Sequence, residues 1–229
     1  VLLSPHRSLV DIALAAGLAI VAVLLSRLWP GNPFAPYMGE LPPLLVLPLT
    51  AIAAPLAINL LARHGQIGRR QRLRPGLILA VGAGFAVPTI AVDIAAPWPH
   101  DINVALPQGV FFYGAIAFFA ECLFHVIPLG LLFALFQRLA PRASPHLAFW
   151  SAAALAAVIE PAVQIAFDPH APLGRTAYMG LQLTAFSLAQ IALMRLYGLW
   201  GALGARLGYY LLWHIVWGTA RLPLLFAPS

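Results

Sequence analysis

The sequence predicts an all-α fold: a polytopic transmembrane helix bundle of about seven spans, with its N-terminus in the cytoplasm. Three observations predict it. Hydrophobic residues make up 62% of the 229 residues and charged residues only 9%. Apolar runs of spanning length recur along the whole chain, and about 20 such residues cross the hydrocarbon core of a bilayer. The arginines, finally, gather in short loops on one side. No polar stretch is long enough to build a soluble domain, so residues 1–229 read as a single integral membrane domain.

The first span is expected at 8–28. It lacks a small-residue cleavage site and therefore reads as a retained helix rather than a signal peptide. Pro30, Pro33 and Pro36 break the chain after it. The second span, 41–62, leads into the basic segment Arg63 to Arg74, a cytoplasmic hairpin suited to fixing topology and touching anionic lipid. The third span is 76–96, and His100 to Pro107 separates it from the fourth, 108–137. That fourth run is longer than a bilayer requires and contains Pro128, whose missing N–H predicts a kink or tilt. Pro141 to Pro145 ends it, and 146–167, 173–194 and 205–226 complete the set.

Orientation follows from the basic residues, all of which are arginine. With the N-terminus inside, the cytoplasmic flanks hold Arg7, Arg63, Arg69, Arg70, Arg72, Arg74, Arg138, Arg142, Arg195 and Arg206. The outer side keeps Arg27, Arg175 and Arg221, with Glu40, Asp101 and Asp168 in or near outer loops. The positive-inside rule selects this arrangement. The net charge of +6 is thus a membrane signature and does not point to nucleic acid. The single cysteine, Cys122, excludes an internal disulfide and a zinc–thiolate cluster, and reads as a small packing residue.

Four ionisable residues lie inside apolar segments: Glu121 and His125 in the fourth span, Glu160 in the fifth and His214 in the last. Such groups cost about 2.5–3.5 kcal/mol at a helix centre on insertion scales, and they persist where they face a bundle interior, a partner or a wet cavity. Glu121 and His125 are four apart, so a helix presents both on one face. They suit one metal ion, or one holds the other in a chosen protonation state. A bundle-stabilising hydrogen bond is the simpler reading of the same spacing. In Ile159-Glu160-Pro161-Ala162-Val163-Gln164, Pro161 deprives the Ala157 carbonyl of its helical partner beside a carboxylate and an amide. The simpler reading is a kinked helix whose Glu160 bonds a neighbour. His214 sits about mid-membrane between Trp213 and Trp217, one turn before Gly218, and reads equally as a satisfied core histidine. Asp93 and Asp11 read as structural residues near the two surfaces, Asp93 within reach of water. Gln182 and Gln190 either bond between helices or line a cavity. Phe111, Phe112, Tyr113, Tyr197 and Trp200 read as interface and packing aromatics.

At these residues the chain resembles the CPBP (CAAX protease and bacteriocin-processing) family of intramembrane proteases, as a divergent bacterial member. The family has Glu-Glu-x-x-x-Arg in one helix, Phe-x-x-x-His in the next and a late His-x-x-x-Asn/Asp. Phe118 to Leu132 is similar to the first motif helix and Ala156 to Gln164 stands in the place of the second. Arg195 through His214 looks like the third and is the closest match. The family-like core covers about 108–218. The identities depart at several positions: Ala120 replaces the first Glu, His125 the Arg, Ala156 the Phe, Glu160 the second-motif His, and Gly218 the late Asn or Asp.

The resemblance implies a hydrolase that cleaves a peptide bond within the membrane. Its catalytic residues would be Glu121 as base, Glu160 as a ligand or second acid, and His214 as an oxyanion stabiliser or ligand, converging in a wet cavity. A divalent metal such as zinc held by Glu121, His125, Glu160 and His214 is the cofactor this implies. The alternative is a catalytically inactive, protease-like scaffold that binds a partner, a metal or a cofactor (haem or a chlorophyll-type pigment on His125 or His214) within a larger membrane complex. Transport is a third class, disfavoured by the absence of an evident inverted repeat. The expected partners are the lipid bilayer and a membrane-protein substrate or complex. The expected location is the bacterial inner membrane, which the Arg-, Ala-, Leu- and Pro-rich composition suits.

Overall fold

The computed structural model describes residues 5–34, 43–68, 73–168 and 170–226, and all regular structure in them is helical. Pro36, Glu40 and three arginines of the basic hairpin (Arg69, Arg70 and Arg72) lie outside the described residues. Among the described residues seven helices follow in order: α1 Pro5–Ser26, α2 Pro43–Arg63, α3 Pro75–Ala95, α4 Gln108–Leu139, α5 Pro145–Phe167, α6 Leu173–Tyr197 and α7, residues 199–225. Six of these match the expected spans to within a few residues. The seventh begins earlier than expected. Gly198, at φ 75°, ends α6 in a left-handed conformation and α7 starts at once with Leu199. The glycines after it, which resemble loop composition, are packing positions. A Cβ at Gly201 would meet the Leu193 carbonyl, and one at Gly208 the Leu79 carbonyl.

α1, α3, α4, α5 and α6 are each long and apolar enough to cross a bilayer. Their surfaces agree with that. On α1, the stripe Ile12, Ala15, Ala19 and Val23 is buried, while Leu14, Leu18, Val21 and Leu24 are exposed. Large aliphatic side chains on the outward face invert the pattern of a soluble helix and fit packing in lipid. The chain is a multi-pass membrane protein.

Two compact units make up the chain. The first takes the start of α1, most of α2, the part of α4 from Ala120 onward, α5, α6 and the first turn of α7. Here the second half of α4 packs on α5, and both parts of α5 pack on α6. Gly130 of α4 closes on Ala57 of α2, and Trp200 donates from Nε1 to Asp11 Oδ1 at 3.1 Å. The second unit takes the rest of α1, α3, the first half of α4 and the remainder of α7. Its α3 buries the stripe Ile78, Gly82, Ala86, Thr89 and Asp93 and packs on α7.

Three helices depart from α geometry. α4 passes through a π-turn at Glu121–Val126, where the Ile127 N–H donates to Cys122 O, five residues back. The local reason is Pro128: it has no N–H for the Phe124 carbonyl, so the ladder shifts upstream of it. α5 breaks into a turn at Ala157 and Val158 before Ile159, where Pro161 leaves the Ala157 carbonyl without its helical donor. α7 has a second π-turn at Leu211–Trp217, with the Gly218 N–H reaching Trp213 O.

Candidate functional site

All four ionisable residues that the sequence singles out lie at these irregularities. Glu121 and His125 occupy the α4 π-turn, Glu160 follows the α5 break and His214 occupies the α7 π-turn. Single π-turns inside helices recur at functional sites, because the extra residue re-aims side chains.

The first unit brings three of the four together. Glu121 Oε1 lies 2.9 Å from His125 Nδ1, and Glu121 Oε2 accepts from Gln190 Nε2 of α6 at 2.9 Å. Gln190 also reaches the Ala202 carbonyl at 3.5 Å, so its amide is held between α4 and the start of α7. With Nδ1 directed at a carboxylate, the other ring nitrogen of His125 is the one free to act. His125 Nε2 is fully buried, has no hydrogen-bond partner and faces Glu160 Oε2 at 3.6 Å. That separation is beyond a good direct hydrogen bond. Glu160 Oε1 in turn takes a long bond from Gln164 Nε2 at 3.4 Å. The result is a carboxylate–imidazole–carboxylate row in which Glu121, His125 and Glu160 are 0%, 0% and 4% exposed. Ser187, one turn before Gln190 on the same helix, buries an Oγ without a partner. Cys122 is buried against this turn, as its reading as a packing residue requires.

The chemistry of this row is that of an oriented imidazole. A carboxylate on one ring nitrogen fixes the tautomer and the orientation of the ring. The other nitrogen accepts a proton or ligates a metal. For a metal, Nε2 of His125 and Oε2 of Glu160 are two facing donors, while both oxygens of Glu121 are engaged. Among the described residues no group of three or more His, Cys, Asp and Glu side chains is arranged to hold an ion. A catalytic zinc site holds its ion with three protein ligands; here two donors face each other.

His214 belongs to the second unit and has partners of its own there. Its Nδ1 lies 2.7 Å from Asn103 Oδ1, in the segment between α3 and α4. Its ring stacks on Tyr113 at 4.4 Å and 19° and meets Tyr210 edge-on at 5.1 Å. Tyr113, expected as an interface or packing aromatic, is 2% exposed, and its hydroxyl accepts from the Val104 N–H at 2.8 Å. Asn103 fills the space over Gly218, where a Cβ would lie 3.0 Å from its amide.

Asp93 differs from its expectation. It does not reach water but is fully buried, taking Arg221 Nε and Nη2 at 2.7 and 2.8 Å, the Trp98 N–H at 2.8 Å and Trp217 Nε1 at 2.7 Å. Arg221 also donates to the Pro99 and Trp98 carbonyls and is buried with it. Every group of this pair is satisfied, which is the mark of a strut joining the end of α3 to the end of α7. Arg206, read as a cytoplasmic flank residue, is also buried and donates to the Tyr210 hydroxyl at 3.3 Å.

The chain matches no protein-family model, no curated protein and no solved structure. Two residues of these sites escape a local reading of the sequence. Gln190 had two open roles and the fold selects one, a bond to Glu121. Asn103 is 111 positions from His214, and no spacing rule connects them.

Proposed function

We propose that this multi-pass membrane protein is a hydrolase of the intramembrane protease type, similar to the CPBP family, acting through Glu121, His125 and Glu160. One observation carries the reading: His125 is held by Glu121 at Nδ1, while its buried Nε2 has no hydrogen-bond partner and faces Glu160. Because both oxygens of Glu121 are engaged, the role of base passes from Glu121 to His125. A water admitted beside Nε2 gives it a proton, and the water oxygen attacks a peptide carbonyl carbon. As the C–N bond breaks, Glu160 in its acid form protonates the leaving amine, and the proton on Nε2 then returns to Glu160. Glu121 orients the imidazole and balances its charge, and Gln190 orients Glu121. Positioned acid–base groups of this kind contribute typically about 10²–10⁴-fold. The Arg distribution and the composition support a bacterial inner membrane as its location.

A second reading has its own observation in favour. The whole row is buried and Ala120 stands where the CPBP motif has a further Glu, which suits a protease-like scaffold that serves a partner in a membrane complex. Reconstitution in vesicles with membrane-spanning reporter peptides separates the two. The hydrolase reading expects cleavage inside the hydrocarbon segment that disappears in Glu121→Gln. Intact peptides in every condition, with a partner that co-purifies equally with wild type and Glu121→Gln, would establish the scaffold.

A further inference from the structure

We infer that Asn103 is the positioning residue of His214: it fixes the imidazole with its proton on Nδ1 and leaves Nε2 as an acceptor. The inference stands on the second unit alone and does not depend on hydrolysis at His125. Three contacts carry it. Asn103 Oδ1, the acceptor end of the amide, is 2.7 Å from Nδ1, so the proton between them belongs to the ring. The ring cannot swing away, because Tyr113 stacks on one face and Tyr210 meets it edge-on. The amide is also confined, since its Nδ2 is buried and the side chain rests over Gly218, where a Cβ would stand 3.0 Å from Cγ and Nδ2. Glycine at 218 is therefore what admits Asn103 to the α7 π-turn.

A chemical consequence follows. A neutral histidine with its proton on Nδ1 offers no N–H at Nε2, so His214 acts as a base or a ligand there and does not stabilise an oxyanion. The donor of this site is instead Asn103 Nδ2, which has no partner among the described residues. The second unit thus pairs one acceptor nitrogen with one buried amide donor.

Imidazole ¹⁵N spectra of the protein in detergent, labelled at histidine, test this. The His214 signals are identified by their loss in His214→Gln. Wild type should show a protonated Nδ1 and an unprotonated Nε2. Asn103→Asp, which keeps the acceptor oxygen, should keep the proton on Nδ1. Asn103→Leu should remove that preference, and Gly218→Ala, which crowds the amide, should weaken it. Retention of the Trp98–Trp213 near-ultraviolet signature confirms that each variant is folded. A wild-type His214 protonated on Nε2, or an unchanged tautomer in folded Asn103→Leu, would overturn the inference.

Discussion

Arg221 grips both carboxylate oxygens of Asp93, 128 residues earlier in the chain, and neither side chain is accessible to solvent. Breaking a buried pair by removing one partner costs about 3–5 kcal/mol, because the other charge stays behind unpaired. Asp93→Leu and Arg221→Leu should each destabilise by that order in a thermal melt in detergent. The double variant, which leaves no orphan charge, should lose less than the two single losses added together. Strict additivity would show that the two residues act independently.

Gln190 donates a hydrogen bond to Glu121 Oε2. A hydrogen bond to a charged group contributes about 1.5–3 kcal/mol. Gln190→Ala should lower the melting point accordingly. Gln190→Glu, which sets a second acid against Glu121, should lower it further. Equal melting points for Gln190→Glu and wild type would contradict the contact.

Gly82 and Gly130 are points of close helix approach, and Gly84 is not. A Cβ at Gly82 would collide with the Ala205 carbonyl, and one at Gly130 would lie 2.5 Å from Ala57 Cβ. Gly84 has nothing within 4 Å. Gly82→Ala and Gly130→Ala should each destabilise by about 1–3 kcal/mol through overpacking. Gly84→Ala should be neutral or stabilise by up to about 1 kcal/mol. The comparison is made by melting all three in the same detergent.

The lone cysteine makes topology simple to read. Cys122 is buried, so a Cys122→Ala background loses no accessible thiol. Arg142 and His170 are both exposed and fall on opposite sides under the positive-inside assignment. In intact cells a membrane-impermeant maleimide should label His170→Cys, and should label Arg142→Cys only after permeabilisation. The reverse pattern would invert the orientation.

Much of this was legible in the sequence, for reasons that differ by residue. Helix extents follow from apolar run length and from prolines, which act locally. Pro161 marks the α5 break within a few residues, because a missing N–H affects the carbonyl four residues back. Pro128 announces an irregularity in α4 but not its kind. A kink and a π-turn answer the same missing hydrogen bond, and tertiary packing selects between them. Glu121 and His125 are paired by spacing alone. Glu160 joins them only through the packing of α5, and Gln190 only through that of α6. The Asp93–Arg221 strut and the Asn103–His214 pair each connect residues more than a hundred positions apart, which no periodicity encodes. The early start of α7 was hidden because close-packed glycines have the composition of a loop.

Glu121, His125 and Glu160 are proposed to act as one unit. Residues that act together lose activity non-additively: removing one costs nearly as much as removing all. The measurement is the rate of reporter-peptide cleavage in vesicles for Glu121→Gln, His125→Ala, Glu160→Gln and the triple variant. His125→Ala should fall by about 10²-fold or more, and the triple variant little further. Losses that multiply across the three sites, or a His125→Ala variant that cleaves at the wild-type rate, would contradict it.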